Sequence, residues 1–207
     1  MEHIQKWVMI RKKFGPCPKQ RNRHPIMFRL LIAFLIVVMT FPTQADDRLI
    51  ENFSSHPEMR WKFIADTVMG GISSGELKFN SERGETYARM TGNVSTENNG
   101  GFIQFRMKMF NPLPEEARGL RVVVRGNDQR YFIHLRTKGT FLPWQYYQAK
   151  FEVSKKWTEV LLPFRDFKAS SALLKKTPYP GDLRSIGVVA FGRDHRAEVE
   201  VLEVSYF

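Results

Sequence analysis

From residue 46 onward, apolar and polar positions alternate with a period of two, the spacing of half-buried β-strands rather than helices. Ile103, Phe105, Met107 and Met109 share one side, and Gln104, Arg106 and Lys108 the other. Leu120, Val122 and Val124 alternate with Arg121 and Arg125, and Tyr131, Ile133 and Leu135 with His134 and Arg136. Tyr147, Ala149 and Phe151 alternate with Gln148 and Lys150, and Ala197, Val199 and Val201 with Glu198 and Glu200. Turn signals fall between these runs at Arg83-Gly84, Asn98-Asn99-Gly100, Gly126-Asn127-Asp128 and Tyr179-Pro180-Gly181-Asp182. Short strands separated in this way predict an all-β antiparallel sandwich, one domain over residues 46–207, with a solvated face on each sheet. A single short helix is predicted over residues 167–176, between Pro163 and Pro178. The alternation turns Ile103, Phe105, Leu120, Val122 and Val124 inward. It places Arg106 and Arg125 outward on neighbouring strands, where they are expected to share one polar face.

The first 45 residues follow a different logic. Leu30 to Met39 is an unbroken apolar run. Ten residues rising 1.5 Å each fall short of a hydrocarbon core of about 30 Å. A basic flank precedes the run and Pro42-Thr43-Gln44-Ala45 follows it, the three-part pattern of a secretory signal cleaved after Ala45. Met27 is an attractive true start, giving a signal of ordinary length. The mature chain is then exported, to a bacterial periplasm, with no transmembrane span. The alternative is an inner-membrane anchor through uncleaved residues 30–41.

This division changes the reading of composition. The chain has 207 residues and a formal charge of +11, of which residues 1–45 hold +7, leaving +4 for residues 46–207. That is ordinary solubility charge, and with no basic stripe interleaved with aromatics it excludes a nucleic-acid partner. The single cysteine, Cys17, lies in the leader. Residues 46–207 therefore have no internal disulfide, thiolate metal site or cysteine nucleophile. No His-Glu-x-x-His, Gly-x-Ser-x-Gly or Gly-x-Gly-x-x-Gly pattern occurs. His56, His134 and His195 are widely spaced, and Glu115-Glu116 are adjacent in a proline-flanked loop. Neither a metal, a cofactor nor a catalytic set is expected.

Trp61, followed after four residues by Asp66-Thr67-Val68-Met69-Gly70-Gly71-Ile72-Ser73, resembles the opening signature of the complex I intermediate-associated protein 30 family. Further matches follow in order: Asn99-Gly100-Gly101-Phe102 with Arg106, Gly119-Leu120 with Arg125-Gly126 and Tyr131, and Phe151 with Trp157. Leu162-Pro163-Phe164 with Phe167, and Ile186-Gly187, complete the set. The resemblance spans about residues 50–207. It implies a galactose-binding-like jelly-roll β-sandwich, in agreement with the periodicity, and a non-catalytic assembly role. Gly126-Asn127-Asp128-Gln129 departs from the family in lacking the second glycine of the usual Gly-Asp-Gly turn.

Several residues carry two readings. Gly70-Gly71 permits positive φ in a tight turn, or forms an anion-binding nest. Asp66 locks turn amides, or faces a ligand. Arg106 and Arg125 form cross-strand ion pairs, or an anion patch. Trp61 and Trp157 read as structural, Trp157 in the core, whereas Trp144, after Phe141-Leu142-Pro143, reads as an exposed contact. The expected ligand- or partner-binding set is Asp66, Asn99, Arg106, Arg125 and Trp144. The expected structural motif is Trp61, Met69, Gly70, Gly71, Gly100, Gly101, Trp157 and Pro163. Two functions compete: a binding or assembly module for a protein partner, of which a membrane respiratory complex is one candidate, and a carbohydrate-binding module taking a glycan.

Overall fold

A computed structural model of the chain describes residues 48–207. The expected leader, its cleavage at Ala45, the start at Met27 and Cys17 lie outside the described residues. Among the described residues twelve strands form two antiparallel sheets. The first sheet has the order β3 (Ser74–Glu82), β4 (Glu85–Val94), β12 (His195–Tyr206), β6 (Gly119–Gly126), β9 (Thr158–Pro163), and β1 (Leu49–Glu51) also pairs with β12. The second has the order β10 (Lys168–Ala169), β8 (Tyr147–Glu152), β7 (Arg130–Thr137), β11 (Leu183–Phe191), β5 (Phe102–Lys108), β2 (Trp61–Ala65).

The alternation in the sequence is what closes the sandwich. Ile103 and Phe105 from the second sheet, and Leu120, Val122 and Val124 from the first, point inward and are fully buried. Tyr131, Ile133 and Leu135 join them from β7, and Ala197, Val199 and Val201 from β12. A bulge between Val201 and Glu203 then resets the phase of β12, so that Val204 is the next buried valine. Trp61 closes one part of the core, with its ring centroid 5.6 Å from Phe53 and 5.2 Å from Phe105. Its indole N–H donates to Glu51 at 3.0 Å, so burying the indole leaves no donor stranded. Arg83 and Gly84, both with positive φ, form the two-residue hairpin turn between β3 and β4.

The helix predicted over residues 167–176 is not formed. Phe167 is drawn into the core, Lys168 and Ala169 pair with Gln148 and Tyr147, and Ser170 enters a turn. Among the described residues the one α-helical stretch is the single turn α1, Pro57–Arg60. Edge pairing and a buried aromatic outweigh local helix propensity in so short a window.

Candidate functional site

The signature residues converge on Asp66, which is fully buried at the end of β2. Its carboxylate accepts from the Ser73 N–H at 2.9 Å, the Ser73 hydroxyl at 2.5 Å, and the Gly101 and Phe102 N–H groups at 2.6 and 3.1 Å. Burial alone would raise this carboxyl; the four donors more than offset it and hold its pKa below the usual range. Two glycines give the carboxylate room. A Cβ on Gly71 would stand 2.4 Å from its Cγ, and one on Gly100 2.5 Å from its Oδ2. Gly70 and Gly101 supply the positive φ of the flanking turns. Asp66 is therefore a lock between the two loops and not a ligand-facing group, which corrects its placement in the binding set. Gly70-Gly71 likewise serves a turn and a close approach. Met69 is exposed beside Val68 and Ile72, so its place in the signature is not one of packing.

Arg106 and Arg125 do not share a face. Arg106 lies on β5 of the second sheet and Arg125 on β6 of the first, so they point to opposite sides of the sandwich. Strand alternation correctly made both outward, but it carries no information about which sheet a strand joins. Arg125 is locked in place: its guanidinium pairs with Glu200 and, at 2.9 Å, with Glu82, and sits 4.4 Å over the Trp157 ring and 5.2 Å over Tyr87. Trp157 is thus half-buried on the outside of the first sheet, not in the core, because Arg125 and Tyr87 cover it. Arg89 pairs with Glu198 at 2.7 Å and Glu200 at 3.4 Å, and Arg121 with Glu159 at 2.6 Å and Glu203. Glu200 faces Arg89 and Arg125 directly in register. Arg89, Arg121 and Arg125 thus tie the outer face of the first sheet together through Glu82, Glu159, Glu198, Glu200 and Glu203.

On the outer face of the second sheet Arg130 pairs with Glu152 at 3.6 Å at the ends of β7 and β8, and the middle of the face differs. One row crosses all six strands in register: Lys62, Arg106, Gly187, His134, Gln148 and Lys168. It contains three cations and no carboxylate. The neighbouring row places Gln104, Val189 and Phe132 side by side. Tyr146 stacks on His134 at 4.1 Å between centroids and 10° between planes, and Phe191 lies 5.8 Å from the imidazole and 6.0 Å from Phe132. His134 Nε2 and Gln148 Oε1 are buried without a hydrogen-bond partner among the described residues. Burial pushes the imidazole down to about 4, with Gln148 acting the other way, so the ring is neutral at pH 7. Arg136 hydrogen-bonds the Leu142 carbonyl at 2.7 Å, and both burial and the charge of Arg106 lower its pKa.

A match to the family model of complex I intermediate-associated protein 30 covers residues 51–197. The chain belongs to that family. The match takes in the Asp66 lock and the row through Arg106 and His134, and it stops before Glu198, Glu200 and Glu203 of the Arg125 lattice. No curated protein sequence matches the chain. Among solved structures, the family 11 carbohydrate-binding module from Clostridium thermocellum, in complex with a β-1,3-1,4-mixed-linked tetrasaccharide, superposes with a TM-score of 0.62 at 10% identity. That superposition covers 77% of this chain and 94% of the module. The family 11 module of a cellulosomal cellulase of the same organism gives a TM-score of 0.62 at 11% identity, over 77% and 92%. An exo-β-agarase gives 0.53 at 6% identity, over 77% of this chain and 25% of that enzyme. At such identities the likeness shows the fold: the jelly-roll, galactose-binding-like sandwich that the family resemblance implied.

Of the expected binding set, Arg106 alone lies in the row across the second sheet. Asn99 is exposed in the positive-φ turn before Gly100, and Trp144 is exposed on the β7–β8 loop. Pro163 ends β9 opposite Gly119, where a Cβ would meet the Leu162 carbonyl at 2.5 Å. His134, Gln148, Tyr146, Arg136 and Phe191 are absent from that set. The signal for three of them was visible as the polar side of β7 and β8, but their company with Arg106 depends on β11 lying between. Among the described residues no three histidine, cysteine, aspartate or glutamate side chains gather into a metal-holding group, and no helix is long and apolar enough to cross a membrane.

Proposed function

We propose that this protein is a non-enzymatic binding and assembly module, exported to the periplasm, that holds a protein partner on the outer face of its second sheet. The reading is carried by the contrast between the two faces. Arg89, Arg121 and Arg125 on the first sheet each find a glutamate within 4 Å. Arg106, on β5 of the second, has no ion pair among the described residues and stands beside Arg136, a like charge. A face that leaves arginines unpaired and aromatics half-covered complements an acidic, partly apolar surface. Membership of a family named for assembly of complex I supports a protein as that partner.

The test is affinity capture from membranes with three versions of the chain: unaltered, Arg106→Ser with Tyr146→Ser, and Lys78→Ser on the first sheet. One partner should be recovered by the first and third and lost from the second, with melting temperatures unchanged. Equal recovery by all three would refute the assignment of the face.

A second reading has its own observation. The Nε2 of His134 and the Oε1 of Gln148, its partner across the strands, are buried and unpartnered, and the Tyr146 ring stacks on the imidazole, an arrangement suited to the hydroxyls and apolar face of a sugar. Titration calorimetry with a mixed-linked β-glucan tetrasaccharide checks it; binding lost in Gln148→Ala would favour the glycan, and no heat at millimolar sugar would remove it.

A further inference from the structure

At the end of the second sheet where β5 and β7 finish, large apolar side chains stand in water. Phe110 is 84% exposed, Phe141 83% and Trp144 64%. Phe141 and Trp144 are not on a slack loop. The buried Gln145 carboxamide accepts from the N–H groups of Phe141 and Leu142 at 2.9 and 3.0 Å. Arg136 holds the Leu142 carbonyl from the sheet side, and the Ser170 hydroxyl donates to the Trp144 carbonyl at 3.0 Å. The turn is fixed with its rings outward.

Beside Phe110 lies a cavity of about 530 Å³ lined also by Arg106, Lys108, Arg136, Lys138 and Arg184, with no carboxylate in its wall. Lys138 is paired with Asp182 at 3.4 Å, and Tyr179 to one side faces Glu115, Glu116 and Asp182. Lys108 and Arg184 are exposed and make no ion pair among the described residues. Their strands meet here, the Met109 N–H donating to the Arg184 carbonyl at 2.8 Å.

We propose that this end of the sandwich is a docking surface for an anionic lipid bilayer, with Phe110, Phe141 and Trp144 entering the interface and the cationic cavity receiving headgroup phosphates. Aromatic rings that project from a rigid tip, backed by cations, suit the boundary between acyl chains and headgroups; a protein groove would be met by a recess. Anionic headgroups supply the countercharge that the cavity wall lacks. The cavity shares Arg106 with the row through His134 but needs none of that row's other members, and docking there would turn the row toward a membrane-borne partner.

The test uses residues 46–207, which carry the whole core, so that the apolar run at 30–39 contributes nothing. Sedimentation with vesicles of 30% phosphatidylglycerol in phosphatidylcholine should retain the protein at 0.1 M salt, with at least tenfold weaker retention on pure phosphatidylcholine. Lys108→Glu with Arg184→Glu should weaken it at least tenfold, as should Phe141→Ser with Trp144→Ser. In the unaltered protein, Trp144 emission should shift to the blue and be quenched by brominated lipid, a signal absent from Trp144→Phe. No retention, retention unaffected by either pair, or retention without quenching of Trp144 would overturn the proposal. Free inorganic phosphate at 10 mM that abolishes retention would reassign the cavity to a soluble anion. Tighter binding of an octaglutamate peptide than of the vesicles would reassign it to an acidic protein segment. Because Tyr146 and His134 are untouched, failure here leaves the capture experiment above intact.

Discussion

Replacing Asp66 by asparagine keeps the shape of the side chain and removes its charge and one of its acceptors. In the native lock one oxygen serves the Ser73 N–H and the other serves the Ser73 hydroxyl and the N–H groups of Gly101 and Phe102. The least costly amide orientation turns its NH2 toward the Ser73 N–H and leaves its oxygen to the other three donors. One buried N–H then faces another donor, costing about 1–3 kcal/mol, and three charge-assisted bonds weaken to neutral ones, each by about 0.5–1 kcal/mol. The sum is about 2.5–6 kcal/mol. For a domain of this size that corresponds to a fall in melting temperature of roughly 5–24 °C. Asp66→Ala, which strands three buried N–H groups in a cavity, should cost more still.

Differential scanning calorimetry at pH 7 reads the effect directly, and pH supplies an internal control. The folded-state pKa of Asp66 is depressed, so its contribution is fully present above the unfolded value of about 3.9 and is lost as pH falls through the folded value. The gap between wild type and Asp66→Asn should therefore narrow below about pH 4. An asparagine variant melting within about 2 °C of wild type at pH 7 would refute the lock. It would return Asp66 to the set of ligand-facing residues.

Arg125→Ala should cost about 1–3 kcal/mol in urea unfolding, because it strips a partner from the buried Glu200 and uncovers Trp157, whereas Arg106→Ala should cost under about 0.5 kcal/mol; equal effects would contradict the two-face assignment. Gly71→Ala should destabilise by about 2 kcal/mol through the Cβ contact with Asp66, with much of that loss recovered in Gly71→Ala combined with Asp66→Ala, a double-mutant cycle that reads the contact. His134 is held neutral to about pH 4 while the unfolded chain protonates near 6.5, so its burial removes stability as pH falls between those values, by about 3 kcal/mol at the lower end. His134→Gln should flatten that part of the stability–pH curve, and an imidazole titrating near 6.5 by NMR would contradict it.

Period-two alternation made the inward side of β5, β6, β7, β8 and most of β12 legible, because one face of each is dry and the other wet. It stopped at Val201 for a physical reason: the bulge after Val201 shifts the phase by one residue. β3, at the edge of its sheet and largely exposed, carries too few apolar positions to alternate, and the stretch Ser185–Ala190 of β11 is buried throughout, so it has no polar side to read. Sheet membership was out of reach. Arg106 and Arg125 look equivalent along the chain and are separated by pairings with β11 and β12, strands 60 residues or more further on. The Asp66 lock was legible as a motif, and the glycines beside it gain their meaning only from the distance of a missing Cβ. The row through His134 was not legible as a site, since its members come from six strands.

The signature and the working face occupy different parts of the fold, and that separates what family membership carries from what it does not. Asp66, Gly71, Gly100 and Gly101 act at the start of β5; the basic cavity and exposed rings lie at its other end, around Lys108. Changing any of the first group strands buried donors or forces backbone apart, so the fold constrains them whatever the protein binds. Changing Lys108, Phe141 or Trp144 leaves the core contacts intact, so only a partner constrains those. The ion-pair lattice of the first sheet belongs with the first group, because Glu200 is buried and needs its arginines. A shared fold therefore argues for how this chain is built. The argument for what it holds rests on the second sheet, where Arg106 and Arg136 are kept side by side without a counterion of their own.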